Sequence, residues 1–312
     1  MHYYAGPMEG ITGYVYRNAH HRFFRGCDRY FMPFISPGIK RGLRTREKND
    51  VLPAHNEGVP VIPQILTRRA EDFIRMTEQL SDLGYEEVNL NLGCPVRTVV
   101  SKGKGSGFLA DPDGLQRFLE EIFDRSRARI SVKTRLGMEK PEEILRLAEI
   151  YAGYPMTELI IHARVQKDYY RRPVNREAFR EALSICRHPV CYNGDLFSPE
   201  DQKDFEKDFP GVSRFMYARG LIRNPQLIEM IREGTGRDLD RWRAFLAEVQ
   251  AGYEEIMSGQ TNVLFKMKEI WTYMDDAFTV GKKTAKAIRK AKTLADYEAA
   301  VDRVFREEAN GI

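Results

Sequence analysis

Glu87-Val88-Asn89-Leu90-Asn91-Leu92-Gly93-Cys94-Pro95 is a short apolar run that stops at a glycine, a thiol and a proline. A run too short for a helix and bounded by structure-breaking residues reads as a buried strand, here over residues 87–91, followed by a loop. Comparable runs at residues 3–5, 29–34, 60–65, 130–135, 158–162, 189–193 and 213–217 predict seven more strands. Helical patterns stand between most of them. Residues 70–83 set Phe73, Ile74, Met76, Leu80 and Leu83 near one stripe. Residues 141–151 open with a proline and space Ile144, Leu145, Leu147 and Ala148 helically. Eight strand–helix units of roughly 30 residues predict an α/β fold of the (β/α)8 TIM-barrel type. A doubly wound open sheet would carry Gly-x-Gly-x-x-Gly after its first strand. Gly6-Pro7-Met8-Glu9-Gly10 stands there instead.

After about Thr235 the pattern turns wholly helical, with periodicities over residues 242–256, 265–274, 284–292 and 294–308. The Gly234-Thr235-Gly236 breaker sets the expected boundary: a catalytic barrel over residues 1–234 and an all-helical domain over residues 235–312. With 42% hydrophobic and 30% charged residues in 312, the chain can bury a full core and is not a disordered one. No stretch nears the ~20 apolar residues of a membrane span. Met1 to Gly13 lacks a secretory pattern, so a cytoplasmic protein without a membrane partner is expected. Cys27, Cys94, Cys186 and Cys191 form neither a disulfide scaffold nor zinc knuckles, and no metal site is expected. No protein partner is visible, and a monomer is the expectation.

In a barrel, function gathers at the C-terminal ends of the strands. There stand Gln64, the Asn91–Pro95 segment with the glycine-rich residues 103–107, Lys133-Thr134-Arg135, His162-Ala163-Arg164, Asn193-Gly194-Asp195 and Ala218-Arg219-Gly220. Barrel phosphates commonly sit at the loops after strands 7 and 8. Gly194 and Gly220 allow close backbone approach there, and Arg219 can grip phosphate oxygens; ordinary turns are the plainer alternative. Lys133 ends a buried strand and needs either an anionic ligand or a structural salt bridge. His162 can serve a ligand or be a satisfied core histidine, and Gln64 can simply bond a neighbouring loop. Cys94 sits on a loop between Gly93 and Pro95, unlike the other three cysteines, which read as small buried hydrophobes. An ordinary thiol keeps its proton at neutral pH and can act as a general acid.

These residues resemble the tRNA-dihydrouridine synthases, a family of FMN-dependent (β/α)8 barrels with a C-terminal helical domain. The resemblance runs from Pro7-Met8-Glu9-Gly10 to Ala218-Arg219-Gly220, and Asn91-Leu92-Gly93-Cys94-Pro95 is its most specific part. It implies FMN held by Pro7, Met8, Gln64, Asn91, Lys133, His162, Asn193, Gly194, Asp195, Ala218 and Arg219. Lys133 would face the flavin pyrimidine edge and Gln64 would bond the ring. It also implies NADPH (or NADH) as reductant, tRNA uridine as substrate and Cys94 as donor of the proton to uracil C5. Thr12-Gly13, Met32-Pro33-Phe34, Ala163 and Ala218 depart from frequent family residues and leave the target uridine open. A flavin barrel acting on a free pyrimidine, in the manner of a dihydroorotate dehydrogenase, is the nearest rival. A non-catalytic RNA-binding module is a further one.

Charge bears on the partner. Residues 1–48 hold nine basic and three acidic residues, with Lys40, Arg41, Arg44, Arg46 and Lys48 close together. Arg97, Lys102 and Lys104 follow Cys94, and Arg164, Lys167, Arg171, Arg172 and Arg176 form another run. The tail from Thr235 has thirteen basic and thirteen acidic residues, yet the segment 282–292 carries no acid. At helical spacing Lys282, Lys286, Arg289 and Lys290 share a face, with Ala285 and Ile288 turned inward. Arg97, Lys102, Lys104 and this face are the expected contacts for the tRNA backbone.

Overall fold

The computed structural model describes residues 1–38, 42–279 and 282–311, so Lys40 and Arg41 lie outside the described residues. The chain divides into two compact units. One comprises Met1–Pro7, Asp28–Leu196 and Asp204–Tyr217; the other comprises Met8–Cys27, Phe197–Lys203 and Ala218–Ile312.

The first unit is a parallel barrel. Its strands are β1 (His2–Ala5), β2 (Arg29–Phe31), β3 (Val61–Ile62), β4 (Gln64–Ile65), β5 (Glu87–Leu92), β6 (Arg129–Gly137), β7 (Leu159–Val165), β8 (Val190–Asn193) and β9 (Arg214–Tyr217). They are ordered β3-β2-β1-β9-β8-β7-β6-β5-β4. The two ends of that order are one chain segment, because only Pro63 separates β3 from β4. Proline has no N–H to give the ladder, but its carbonyl accepts from Asn89 N at 2.8 Å, which keeps the segment in the sheet. The strand expected at residues 60–65 is thus one barrel strand interrupted by proline. A bridge between Ile35 and Ile65 adds to the seam.

Strand period two decides what fills the interior. Tyr4, Phe31, Ile160, Cys191 and Met216 form one buried cluster, with Ile62 against it. Towards the N-terminal end of the strands, Glu158 accepts from Tyr4 Oη at 3.1 Å and pairs with Arg214 at 3.1 Å. Arg29 meets Glu87 at 3.3 Å. Burial pushes the Glu158 carboxyl up to about 7. The helices between strands bury the stripes their sequences announce. Ala70–Asp82 buries Phe73, Ile74, Met76 and Leu80, with Glu71 and Asp72 in its first turn, where acids suit the helix dipole. Pro112–Arg125 opens on Asp111, whose side chain caps Gly114 N.

The second unit is helical. Tyr14–Phe23, Arg219–Arg223, Leu227–Glu233, Leu239–Ile256, Gln260–Met274, Lys282–Lys290 and Leu294–Ala309 are among its helices. Trp242, Phe245, Val249, Met267, Trp271 and Val304 share one core with Ile11, Tyr16 and Phe24 from early in the chain. His20 Nε2 lies 2.9 Å from Pro225 O, and burial pushes the ring down to about 4, so it is neutral. Among the described residues no helix is long and apolar enough to cross a membrane.

Candidate active site

The C-terminal end of β5 fixes the thiol. Asn91 Oδ1 accepts from Gly93 N at 3.1 Å and Cys94 N at 2.9 Å, so the loop turns around one amide side chain. That amide donates to Gln64 Oε1 at 2.6 Å, Gln64 donates to Asn89 at 2.7 Å, and Asn89 donates to Ser131 at 3.0 Å. Three neighbouring strands are thereby wired behind Cys94. The glycine-rich segment closes the other side. Ser106 donates to Cys94 O from its backbone N at 3.1 Å and from Oγ at 2.9 Å. Gly105 has φ +57°, and a Cβ there would stand 2.8 Å from Cys94 O. Gly105 packs against the thiol loop and Gly107 against Val100.

Lys133 Nζ donates to Asn193 Oδ1 at 2.9 Å, and Asn193 Nδ2 donates to Met216 O at 2.8 Å. Among the described residues Lys133 pairs with no carboxylate, so the structural salt bridge is not its partner. Burial, and then the Arg135 charge, push its ammonium down to about 8. One neutral acceptor leaves N–H donors of this ammonium for an electron-rich ligand. Arg135, two residues on and on the same inward face, is buried and ties the site together. Its Nε donates to Gly93 O at 2.9 Å, and Nη1 donates to Val165 O at 3.0 Å and Tyr169 O at 3.1 Å. Its guanidinium also lies over the Tyr170 ring, 5.3 Å from the centroid. In the sequence Arg135 is only the last residue of the Lys133-Thr134-Arg135 motif, with no role of its own.

His162 Nε2 lies 3.1 Å from Arg164 Nη1. Arginine only donates, so Nε2 accepts and the ring is neutral with its proton on Nδ1. Tyr170 stacks on that ring at 5.8 Å. Arg164 is buried and grips Asp195 with both terminal nitrogens. It is therefore not a rim cation, and Asp195 is neutralised where it stands. Gly194 leaves room for Tyr192, since a Cβ would meet the Tyr192 hydroxyl at 2.2 Å. Pro7 follows Gly6, whose N donates to Tyr217 O at 2.7 Å. In the second unit, Met8 N donates to Thr12 Oγ1 at 2.8 Å, and Arg219, next to Ala218 in the chain, lies over Phe197 at 5.4 Å.

Of the residues expected to meet RNA, Arg97 and Lys102 are exposed. Lys104 is half-buried and reaches Ser36 Oγ at 3.4 Å. The run after His162 is largely neutralised: Arg176 binds Asp204 at 3.0 Å and Asp208 at 2.6 Å, Lys167 binds Glu139 at 3.2 Å, and Arg172 binds Asp168 at 3.6 Å. In the second unit, Lys286 and Lys290 are exposed and Ile288 is buried, as the helical spacing predicts. Arg289 is held by Asp275. The Lys282 and Ala285 side chains lie outside the described residues.

A parallel barrel that gathers a lysine, an arginine, a histidine and a loop-borne thiol at the C-terminal ends of its strands has the plan of a barrel enzyme. A family model described as dihydrouridine synthase (Dus) matches residues 4–310. The chain belongs to that family, whose members are oxidoreductases of tRNA processing. It is 27% identical over 252 residues to the tRNA-dihydrouridine(16) synthase of Pseudomonas putida, covering 74% of each chain. It is 29% identical over 250 residues to a probable tRNA-dihydrouridine synthase of Staphylococcus epidermidis, covering 75% of this chain and 73% of that one. Among solved structures, morphinone reductase matches with a TM-score of 0.54 at 11% identity, over 76% of this chain and 87% of that one. Histamine dehydrogenase from Rhizobium sp. 4-9 matches with a TM-score of 0.57 at 13% identity, over 86% of this chain and 48% of that one. These two likenesses concern the fold.

Proposed function

We propose that the chain is an FMN-dependent tRNA-dihydrouridine synthase that uses NADPH or NADH. Lys133 is the observation that carries this reading: a half-buried ammonium with one neutral partner, in the same mouth as a loop-held thiol. That donor set fits the acceptor-rich edge of a flavin ring. Gln64 and Asn91 lie in the network behind Cys94, Asn193 accepts from Lys133, and by family resemblance Pro7, Met8, His162, Gly194, Asp195, Ala218 and Arg219 complete the binding residues. Bound FMN, once reduced, supplies the hydride that goes to uracil C6. Cys94 then gives its thiol proton to C5, from a loop whose position Asn91 and Ser106 fix. A stacked uridine cannot present C5 and C6 in place, so it is extruded into the mouth. Morphinone reductase, a fold relative, has been solved in complex with tetrahydroNAD, which accords with a nicotinamide reductant. The family match favours tRNA over a free pyrimidine.

Cys94→Ala should stay yellow and still be reduced by NADPH, while tRNA reduction falls by roughly 10²–10⁴, the usual loss with a general acid. Near-normal tRNA turnover would remove Cys94 from the reaction. Colourless protein that cannot be reconstituted with FMN would end the flavin reading. Mapping dihydrouridine in tRNA from a strain lacking the protein identifies the position, and position 16, carried in the name of the Pseudomonas putida relative, is the first to inspect.

A further inference from the structure

We infer that Tyr169 is a stacking platform for the RNA base next to the extruded uridine, an inference that rests on the tRNA reading above. Among the described residues Tyr169 is the only non-glycine with positive φ, at φ 49° and ψ −102°. Glycine adopts positive φ without steric penalty, whereas a residue with a Cβ is strained there. Strain of this kind persists where the surroundings over-determine it, and here they do. The Tyr169 carbonyl accepts from Arg135 Nη1 at 3.1 Å, and its N–H donates to Gln166 O at 3.1 Å. Arg135 also holds Gly93 O at 2.9 Å, and Gln166 Nε2 donates to Pro95 O at 3.3 Å. The segment bearing Tyr169 is therefore strapped on both sides of Cys94.

Among the described residues no side-chain hydrogen bond or ring contact offsets this strain. Tyr169 is 38% exposed, and among the described residues its hydroxyl bonds to no group and its ring stacks on none. The adjacent Tyr170 differs: it is also exposed, at 46%, but His162 and Arg135 engage its ring. Val96, in the loop tied to the Tyr169 segment, is 51% exposed. An exposed aromatic on a backbone tied to both flanks of Cys94 suits a flat, apolar, π-faced ligand. Extruding a uridine unstacks its neighbour and leaves one base face uncovered. An aromatic side chain covers such a face whatever the base, since every base has a π-face.

The test uses full-length tRNA carrying 2-aminopurine on either side of the target uridine, with the flavin-loaded enzyme. Tyr169→Phe should match wild type in KM and in quenching of the probe. Tyr169→Gly should lose the quenching and raise KM for tRNA about tenfold to a hundredfold, the scale of removing one base stack. Its flavin reduction by NADPH should be unchanged, and its melting temperature equal or higher because the strain is gone. Wild-type KM and quenching in the glycine variant would overturn the inference. So would a wild type that reduces tRNA without quenching either probe. Loss of KM, FMN and melting temperature together would reduce Tyr169 to a structural role and also overturn it. A wild type that reduces no tRNA would instead overturn the function on which the inference rests.

Discussion

At the scale of single residues, Lys133 shows how surroundings make a reagent of an ordinary side chain. Burial depresses the ammonium from its usual value near 10.5 to about 8. Above that pH the free protein loses the charge, and an electron-rich ligand against Nζ draws it back. FMN binding should therefore take up part of a proton between about pH 8 and 9.5, and none through this group below about pH 7. Calorimetry in two buffers of different ionisation enthalpy measures the uptake, and Lys133→Met should abolish it. Equal uptake in the variant would place the ligand elsewhere. Lys133 was legible because a lysine ending a buried strand demands a partner, and Cys94 because a thiol between glycine and proline does not look like core. Arg135 is less legible. A period of two puts Ser131, Lys133 and Arg135 on one inward face, so the arginine shares the lysine's interior. That it would bind three backbone carbonyls is a tertiary fact with no local signature.

At the scale of elements, the glycine-rich segment after Cys94 has the composition of a phosphate cradle and the geometry of a wedge. Gly105 and Gly84 both have positive φ, at +57° and +92°, but only Gly105 faces an obstacle, Cys94 O at 2.8 Å from a built Cβ. Gly84→Ala should cost roughly 1 kcal/mol from backbone strain alone. Gly105→Ala should cost about 1–3 kcal/mol more, because the thiol loop must shift, and tRNA turnover should fall with it. Urea denaturation of the two variants beside wild type checks the difference; equal losses would mean the loop yields freely. The strands were largely readable, since short apolar runs with breakers have few alternatives. Pro63 was not readable as an interruption inside a strand, because its carbonyl is rescued by Asn89, a residue on another strand. Charge runs in the sequence hide their partners for the same reason. Arg176 looks basic among its neighbours in sequence, yet Asp204 and Asp208 lie against it in the fold.

Across the whole molecule the net charge is only +4, so any pull on tRNA must come from where the cations are left uncompensated. Lys286 and Lys290 remain exposed in the second unit, while Arg289 is spent on Asp275. Lys286→Glu with Lys290→Glu should raise KM for tRNA and leave flavin reduction unchanged. The slope of log affinity against log salt should flatten by about 0.7–0.9 for each phosphate no longer bound. An unaltered slope in the folded double variant would make this face a solvated surface. Periodicity marked which tail residues turn inward, but not that Ile11, Tyr16 and Phe24 would join their core from the far end of the chain. In the first unit, the barrel interior is stoppered by Tyr4, Phe31, Ile160, Cys191 and Met216, with Glu158 and Arg214 beneath. The barrel therefore has a single doorway, at the C-terminal ends of its strands. On the function proposed above, two large visitors must use that doorway in turn: the nicotinamide departs before the uridine enters, and every reduced uridine waits on a fresh nicotinamide.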